Sequence, residues 1–147
     1  MDISHNKRNG AIAEFRVIVE LLARNFVVSV PQGEYAGYDM IADNHTGDLH
    51  RLQIKSTNKR IPDSTGYRVG VGRGKSRKKP YTSNDCDFIV CVVFPDFYII
   101  PVLAADVASL NLYPEGNSGK KTPANYVGRW EKYKNAWDVL NSVVKEP

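Results

Sequence analysis

Only two cysteines and three histidines occur among the 147 residues, and each scarcity removes a class of chemistry. Cys86 and Cys91 stand five apart, so within one strand they point to opposite faces and do not bridge. Two lone thiols are also too few for a zinc site, and they are expected as buried, reduced, small apolar residues. His5, His45 and His50 have no carboxylate or cysteine at ligand spacing, which leaves a zinc or histidine-based hydrolase without support. No Gly-x-Ser-x-Gly elbow occurs, so acyl transfer has no nucleophile to rest on. No apolar run approaches the roughly 20 residues of a membrane span. The polar, basic stretch from Met1 to Gly10 leads into a helix with no apolar segment behind it, so no secretion signal is expected and the expected location is cytoplasmic. Internal repeats and long low-complexity tracts are absent, and the length suits one domain over residues 1–147.

What is present is positive charge in one place. The net charge is +4, but Arg51 to Lys79 holds ten basic residues against Asp63 alone, a local +9. The remainder holds ten basic and fifteen acidic residues, a net of −5. Concentrated charge of this kind suits a polyanion. Lys59, Arg60, Arg73, Lys75, Arg77, Lys78 and Lys79 are the candidate DNA-binding residues, and Gly70, Gly72 and Gly74 would let backbone approach phosphate closely. This is no P-loop, because no Gly-Lys-Ser/Thr opens a helix there. Lys120, Lys121, Arg129, Lys132 and Lys134 either extend that footprint or form an ordinary charged surface.

Periodicity predicts a helix over Ala11–Asn25, with Phe15, Ile18, Leu21 and Leu22 as its apolar stripe and Arg16, Glu20 and Arg24 as a solvent-facing charged stripe. Strands are predicted at Phe26–Val30, Tyr38–Ala42 and Leu49–Ser56, the last two an antiparallel hairpin across Asp43–Asp48. The stretch Thr57–Asn84 reads as loop with one strand near Tyr67–Val71. Asp87–Phe94 and Phe97–Val102 form a second hairpin. A short helix over Ala104–Leu110 and a closing helix over Arg129–Val144, with Trp130, Tyr133, Trp137 and Leu140 on one core face, complete an α/β or α+β sandwich around one mixed sheet.

Within Leu49–Ser56, side chains alternate between faces. Leu52, Ile54 and His50 share the core side, whereas Arg51, Gln53 and Lys55 share the other. The hairpin partner brings Asp39, a carboxylate set among apolar residues, where an unpaired charge is costly and a bound cation would resolve the cost. On the helical wheel Glu14 falls beside Val17, Ile18 and Leu21, so it points toward the sheet, reaches solvent at the helix edge, or caps a neighbouring backbone group. Magnesium takes oxygen ligands and often one or two carboxylates plus a phosphate. In that reading Asp39 is the main ligand, joined by the Gln53 amide oxygen and the Ile54 carbonyl, with Glu14 acting through a water. Lys55 holds the attacking water and balances charge on the phosphate. Asp85 and Asp87 are either a strand-start turn or a second metal site.

Gly10-Ala11-Ile12-Ala13-Glu14, Tyr38-Asp39 and Gln53-Ile54-Lys55 resemble, in that order, the signature of the PD-(D/E)XK nuclease superfamily. Archaeal junction resolvases and type II restriction enzymes share it. The chain is more similar still to the small homing endonucleases encoded in bacterial group I introns, which also carry a Gln-x-Lys motif. Phe97–Pro101 and Lys132–Trp137 resemble that group too. Two residues depart from the superfamily pattern: Tyr38 stands where it has Pro, and Gln53 where Asp or Glu is commoner. The resemblance implies a restriction-endonuclease-like core with a mixed central sheet flanked by helices. It also implies a Mg2+-dependent DNA endonuclease in which Mn2+ substitutes, double-stranded DNA as substrate, and a homodimer or homotetramer. Alternatives that share the surface are a Holliday junction resolvase, a repair or restriction-type nuclease, and a non-catalytic nucleic-acid-binding protein of the same fold.

Overall fold

The computed structural model describes residues 4–74, 77–116 and 128–141. One α-helix, α1 (His5–Ala23), is followed by strands β1 (Val27–Ser29), β2 (Met40–Asp43) and β3 (Leu49–Ser56). Then come β4 (Tyr67–Gly70), β5 (Gly72–Arg73), β6 (Lys79–Pro80), β7 (Phe88–Val93), β8 (Asp96–Pro101) and β9 (Ser109–Leu112). The central sheet has the order β1-β2-β3-β7-β8. All its pairs are antiparallel except β3 with β7, which run parallel with Leu52 beside Phe88 and Lys55 beside Cys91. A parallel pair needs a long crossover, and here it is the basic stretch between Thr57 and Asp87. The topology thereby returns that stretch to the neighbourhood of β3.

Helix α1 starts six residues earlier than periodicity predicts, at His5, and runs through Gly10. Nothing lies within 4 Å of where a Cβ on Gly10 would sit. Since glycine inside a helix costs about 1 kcal/mol relative to alanine, Gly10→Ala is expected to raise the melting temperature by about 3 °C; thermal unfolding followed by circular dichroism reads this. A fall would mean that the glycine meets a need outside the helix. The helix ends where Asn25 adopts a left-handed φ of 68°. The amide of Asn25 bonds the Leu22 carbonyl, and that of Phe26 bonds the Leu21 carbonyl. This doubled closure satisfies two terminal carbonyls and brings Phe26 onto Leu21 in the core.

The sheet has an apolar layer on each face. On one side Ala13, Val17 and Leu21 of α1 pack on Met40, Ala42, Leu52, Ile54, Val90, Val92 and Ile99, with Trp137 and Leu140. On the other side Ile89, Cys91, Tyr98 and Ile100 meet Val69, Leu110, Leu112 and Trp130. The apolar stripe predicted for α1 is only partly the buried one. Leu21 is buried and Ile18 packs against the core, but Phe15 and Leu22 are exposed, as are Ile12 and Val19. The predicted triad of charges also divides: Glu20 pairs with Arg24, while the Arg16 guanidinium stacks on Phe94, 3.6 Å from the ring centroid.

Two predicted helices do not form among the described residues. Ala104–Leu110 turns and then becomes extended as β9, because Leu110 pairs with Val69 of β4, a partner far away in sequence. The second face of the sheet is therefore covered by a two-stranded ribbon instead of a helix. Arg129–Asn141 contains only the short 3-10 turns Glu131–Tyr133 and Trp137–Asn141; the rest of that predicted helix lies outside the described residues. Asn135 breaks it, with φ 52°. Its amide donates to the Phe97 carbonyl and its side-chain oxygen accepts from the Phe97 amide. As a result Trp130 and Trp137 enter opposite layers instead of sharing one face.

The cysteines are free and buried as expected, but both lie in the second layer. Cys86 precedes β7, so strand alternation does not govern it. Burial pushes both thiols up to about 12, which keeps them protonated and poor metal ligands. His50 is structural as predicted: its Nε2 meets the Leu140 carbonyl at 2.9 Å and its ring stands edge-on to Phe88.

Candidate functional site

Asp39 sits where β2 and β3 part. Continuing the register of Met40 opposite Leu52 sets Asp39 opposite Gln53. Its amide donates to the Leu52 carbonyl at 2.8 Å, and its Oδ2 accepts from the Ile54 amide at 2.7 Å. The carboxylate thus replaces a backbone acceptor at the last rung of the ladder and is fixed in place by it. The lead-in to the strand runs tightly past the start of β7: a Cβ on Gly37 would come within 3.0 Å of Asp85 backbone.

Glu14 reaches the same point from α1. Burial, the Asp39 charge and a hydrogen bond between the two carboxyls push Glu14 up to about 6. Asp39 is raised as well, by burial, against the pull of the Ile54 amide, Glu14 and the Lys55 charge. Two acids in contact, both held above their ordinary range, form a site that favours a proton or a cation between them. Lys55 is near enough for its charge to act on Asp39, and its Nζ lies 5.2 Å from the Tyr81 ring centroid. Gln53 and Lys55 point to the same face of β3, both half-buried, with Leu52 and Ile54 buried on the other. Glu14, Asp39 and Lys55 are therefore brought together. Gln53 lies opposite Asp39, and Ile54 touches it through its amide. Tyr81 had no signal in the sequence, because only the long crossover carries it back to β3.

The donors available at this point are oxygens. Among the described residues no group of three or more His, Cys, Asp and Glu side chains gathers. Two carboxyls with an amide and a carbonyl nearby fit a hard divalent cation, which prefers oxygen and completes its shell with water and phosphate.

Asp85 and Asp87 are engaged structurally. Asp87 receives the Arg51 amide at 2.8 Å and the Arg51 guanidinium at 3.0 and 3.2 Å, and these contacts clamp the start of the β3–β7 pair. Asp85 receives the Thr82 amide and, at 2.6 Å, Arg73. Both carboxyls stay below their usual range despite some burial.

Of the predicted DNA-binding residues, Lys59, Arg60, Arg73, Arg77, Lys78 and Lys79 are exposed, and Lys75 lies outside the described residues. Arg60 pairs with Glu115, Arg73 with Asp85, and Lys78 donates to the Gly74 carbonyl. Lys120 and Lys121 are likewise outside the described residues.

Residues 4–133 match the PD-(D/E)XK endonuclease family. The chain belongs to that family. Among solved structures, this PD-(D/E)XK endonuclease is similar to a bacterial homing endonuclease, I-Ssp6803I, with 26% identity and a TM-score of 0.72. The similarity covers 94% of this chain and 92% of the other. Among curated proteins no match is found. The mixed sheet with α1 against it is the restriction-endonuclease-like core that the family implies. Among the described residues no helix is long and apolar enough to cross a membrane.

Proposed function

We propose that this PD-(D/E)XK endonuclease is a magnesium-dependent DNA endonuclease of the intron-encoded homing type, built as one domain over residues 1–147 and acting in the cytoplasm. The observation that carries the reading is the contact between Glu14 and Asp39 beside Lys55, two acids raised together next to a cation. Asp39, Gln53, the Ile54 carbonyl and Glu14 would hold Mg2+, or Mn2+ in its place. When bound, the ion supplies charge neutralisation and Lewis acidity at the phosphate.

The chain's own groups do the remainder. Asp39 is locked by the Ile54 amide, so its oxygens do not reorganise as charge develops on the phosphate. Lys55 holds the attacking water by hydrogen bond and opposes the growing negative charge. Tyr81, under the Lys55 ammonium, limits where that ammonium goes. Lys59, Arg60, Arg73, Lys75, Arg77, Lys78 and Lys79 take backbone phosphates of double-stranded DNA and set its register.

A homodimer or homotetramer is part of the proposal. It is supported by the outer ridge of α1, where Ile12, Phe15, Val19 and Leu22 recur at spacings of three and four with Phe15 68% and Val19 65% exposed. Repeats of this kind suit helix-to-helix packing.

The test is cleavage of a randomised duplex library by the purified chain, with Mg2+ and with EDTA, followed by sequencing of cut ends. Cutting at a narrow set of sites, only with the ion, is the expected result. Binding to many sequences with no cutting in Mg2+ or Mn2+ would sink the enzymatic reading. Preferential cutting of four-way junctions over every linear duplex would replace homing by junction resolution.

A further inference from the structure

A cleft of about 520 Å³ opens between the N-terminal half of α1, the segment following β3 and the β7–β8 turn. Helix α1 contributes Asn6, Asn9 and Arg16, the end of β3 and the segment after it contribute Ser56 to Lys59, and Phe94 forms the far wall. The lining contains no carboxylate, and its two charged side chains, Arg16 and Lys59, are both cations. Among the described residues, the side chains of Asn6, Asn9, Asn58 and Lys59 have no hydrogen-bond partner in the protein. The Arg16 guanidinium stacks on the Phe94 ring and, among the described residues, has no hydrogen-bond or ion-pair partner. Stacking of this sort fixes the plane of the guanidinium and leaves its N–H edge for an acceptor. The cleft thus sets unpaired amide side chains and two cations beside an apolar wall of Ile12, Val92, Val93 and Phe94.

Its position gives it a ligand. Ser56 directly follows Lys55 along β3, and Ala13 directly precedes Glu14 along α1. The cleft therefore adjoins Glu14 along α1 and Lys55 along β3, at the end where β3 and β7 both run out. A volume of this size admits a phosphodiester with its sugars.

We propose that this cleft binds a DNA backbone phosphate flanking the one to be cut, with Arg16 and Lys59 pairing with the phosphate and Asn58 and Asn9 donating to it. The proposal rests on the endonuclease reading above and adds a subsite that α1 shares with the start of the basic crossover. Arg16 becomes a positioning residue for the strand, where periodicity alone gave it a solvent-facing role.

The experiment measures binding of a mixed-sequence duplex in EDTA across a salt series, for the parent, Arg16→Ala, Lys59→Ala, Asn58→Ala and Arg16→Lys. A backbone contact is blind to sequence and releases counterions. Arg16→Ala and Lys59→Ala are each expected to weaken binding several-fold on every duplex and to flatten the salt slope by about one. Asn58→Ala is expected to weaken binding with the parent's slope, and Arg16→Lys to keep the slope, which controls for damage to α1. Parent-like affinity and slope in Arg16→Ala, whatever Lys59→Ala does, from a parent that cuts DNA, would overturn the subsite and leave the nuclease reading standing. A parent that neither binds nor cuts DNA would overturn both.

Discussion

Asp39→Ala and Lys55→Ala are each expected to lower DNA cleavage by at least about 10³-fold while leaving duplex binding within about twofold, because each removes a preorganised charge at the reacting phosphate. The two losses have different origins. Asp39 is at once an oxygen donor and the partner of the Ile54 amide at 2.7 Å, so its removal takes away a ligand and frees the end of the β2–β3 ladder. Among the described residues the Lys55 side chain makes no such backbone contact, and its loss leaves the Glu14–Asp39 pair in place. Single-turnover cleavage measured beside anisotropy binding separates the effects. Because the two groups act on one centre, the double variant is expected to be little worse than either single one. Variants that cut at the parent's rate would remove these residues from the chemistry. Loss of binding together with cleavage would mean that they hold DNA and do not act on it.

The second large effect concerns the acid pair. Metal-free, Glu14 is raised from 4.5 to about 6, so the folded chain binds a proton that the unfolded chain has released between those values. The sign follows from linkage: this group favours folding below its unfolded value, and that advantage is lost as pH rises through about 6. A cation needs both carboxyls ionised, so its affinity increases over the same range. Added Mg2+ is expected to raise the melting temperature little near pH 5 and clearly near pH 8. Glu14→Gln removes one of two like charges that repel each other. After discounting for solvent screening, the metal-free protein should gain about 1 kcal/mol near pH 8, or about 3 °C. The same variant should lose the Mg2+-induced shift and most cleavage, about 10²-fold. A Glu14→Gln protein that melts lower near pH 8 and still responds to Mg2+ like the parent would refute the account of the pair.

Much of the site was legible because its residues are governed by local rules. Strand β3 runs from Leu49 to Ser56 as period-two alternation and the preceding turn cluster predict, and its parity alone separates Gln53 and Lys55 from Leu52 and Ile54. Glu14 was legible from the helical wheel, since it falls between the buried Ala13, Val17 and Leu21 and the solvent-exposed ridge. What stayed hidden depends on partners distant in the chain. Leu110 becomes extended by pairing with Val69, which overrides the local helical tendency of Ala104–Leu110. Asn135 is recruited by both backbone groups of Phe97, which divides an otherwise regular pattern into two turns. The outer ridge of α1 misled for another reason. A helix apolar on two sides gives no single stripe, so Phe15 and Leu22 looked as well suited to the core as Val17 and Ala13.

The attachment of Asn135 to Phe97 has a consequence for how copies of the chain can meet. Strand β8 is one border of the sheet, yet its neighbour outward is the chain itself: Tyr98 bridges to Lys134, and Asn135 occupies both groups of Phe97. The opposite border, β1, is three residues long. Blunted or very short borders of this kind give a foreign strand almost nothing to zip onto. Lateral growth of the sheet is thereby discouraged on both flanks, and association is left to side-chain surfaces such as the α1 ridge, where it can be specific and finite.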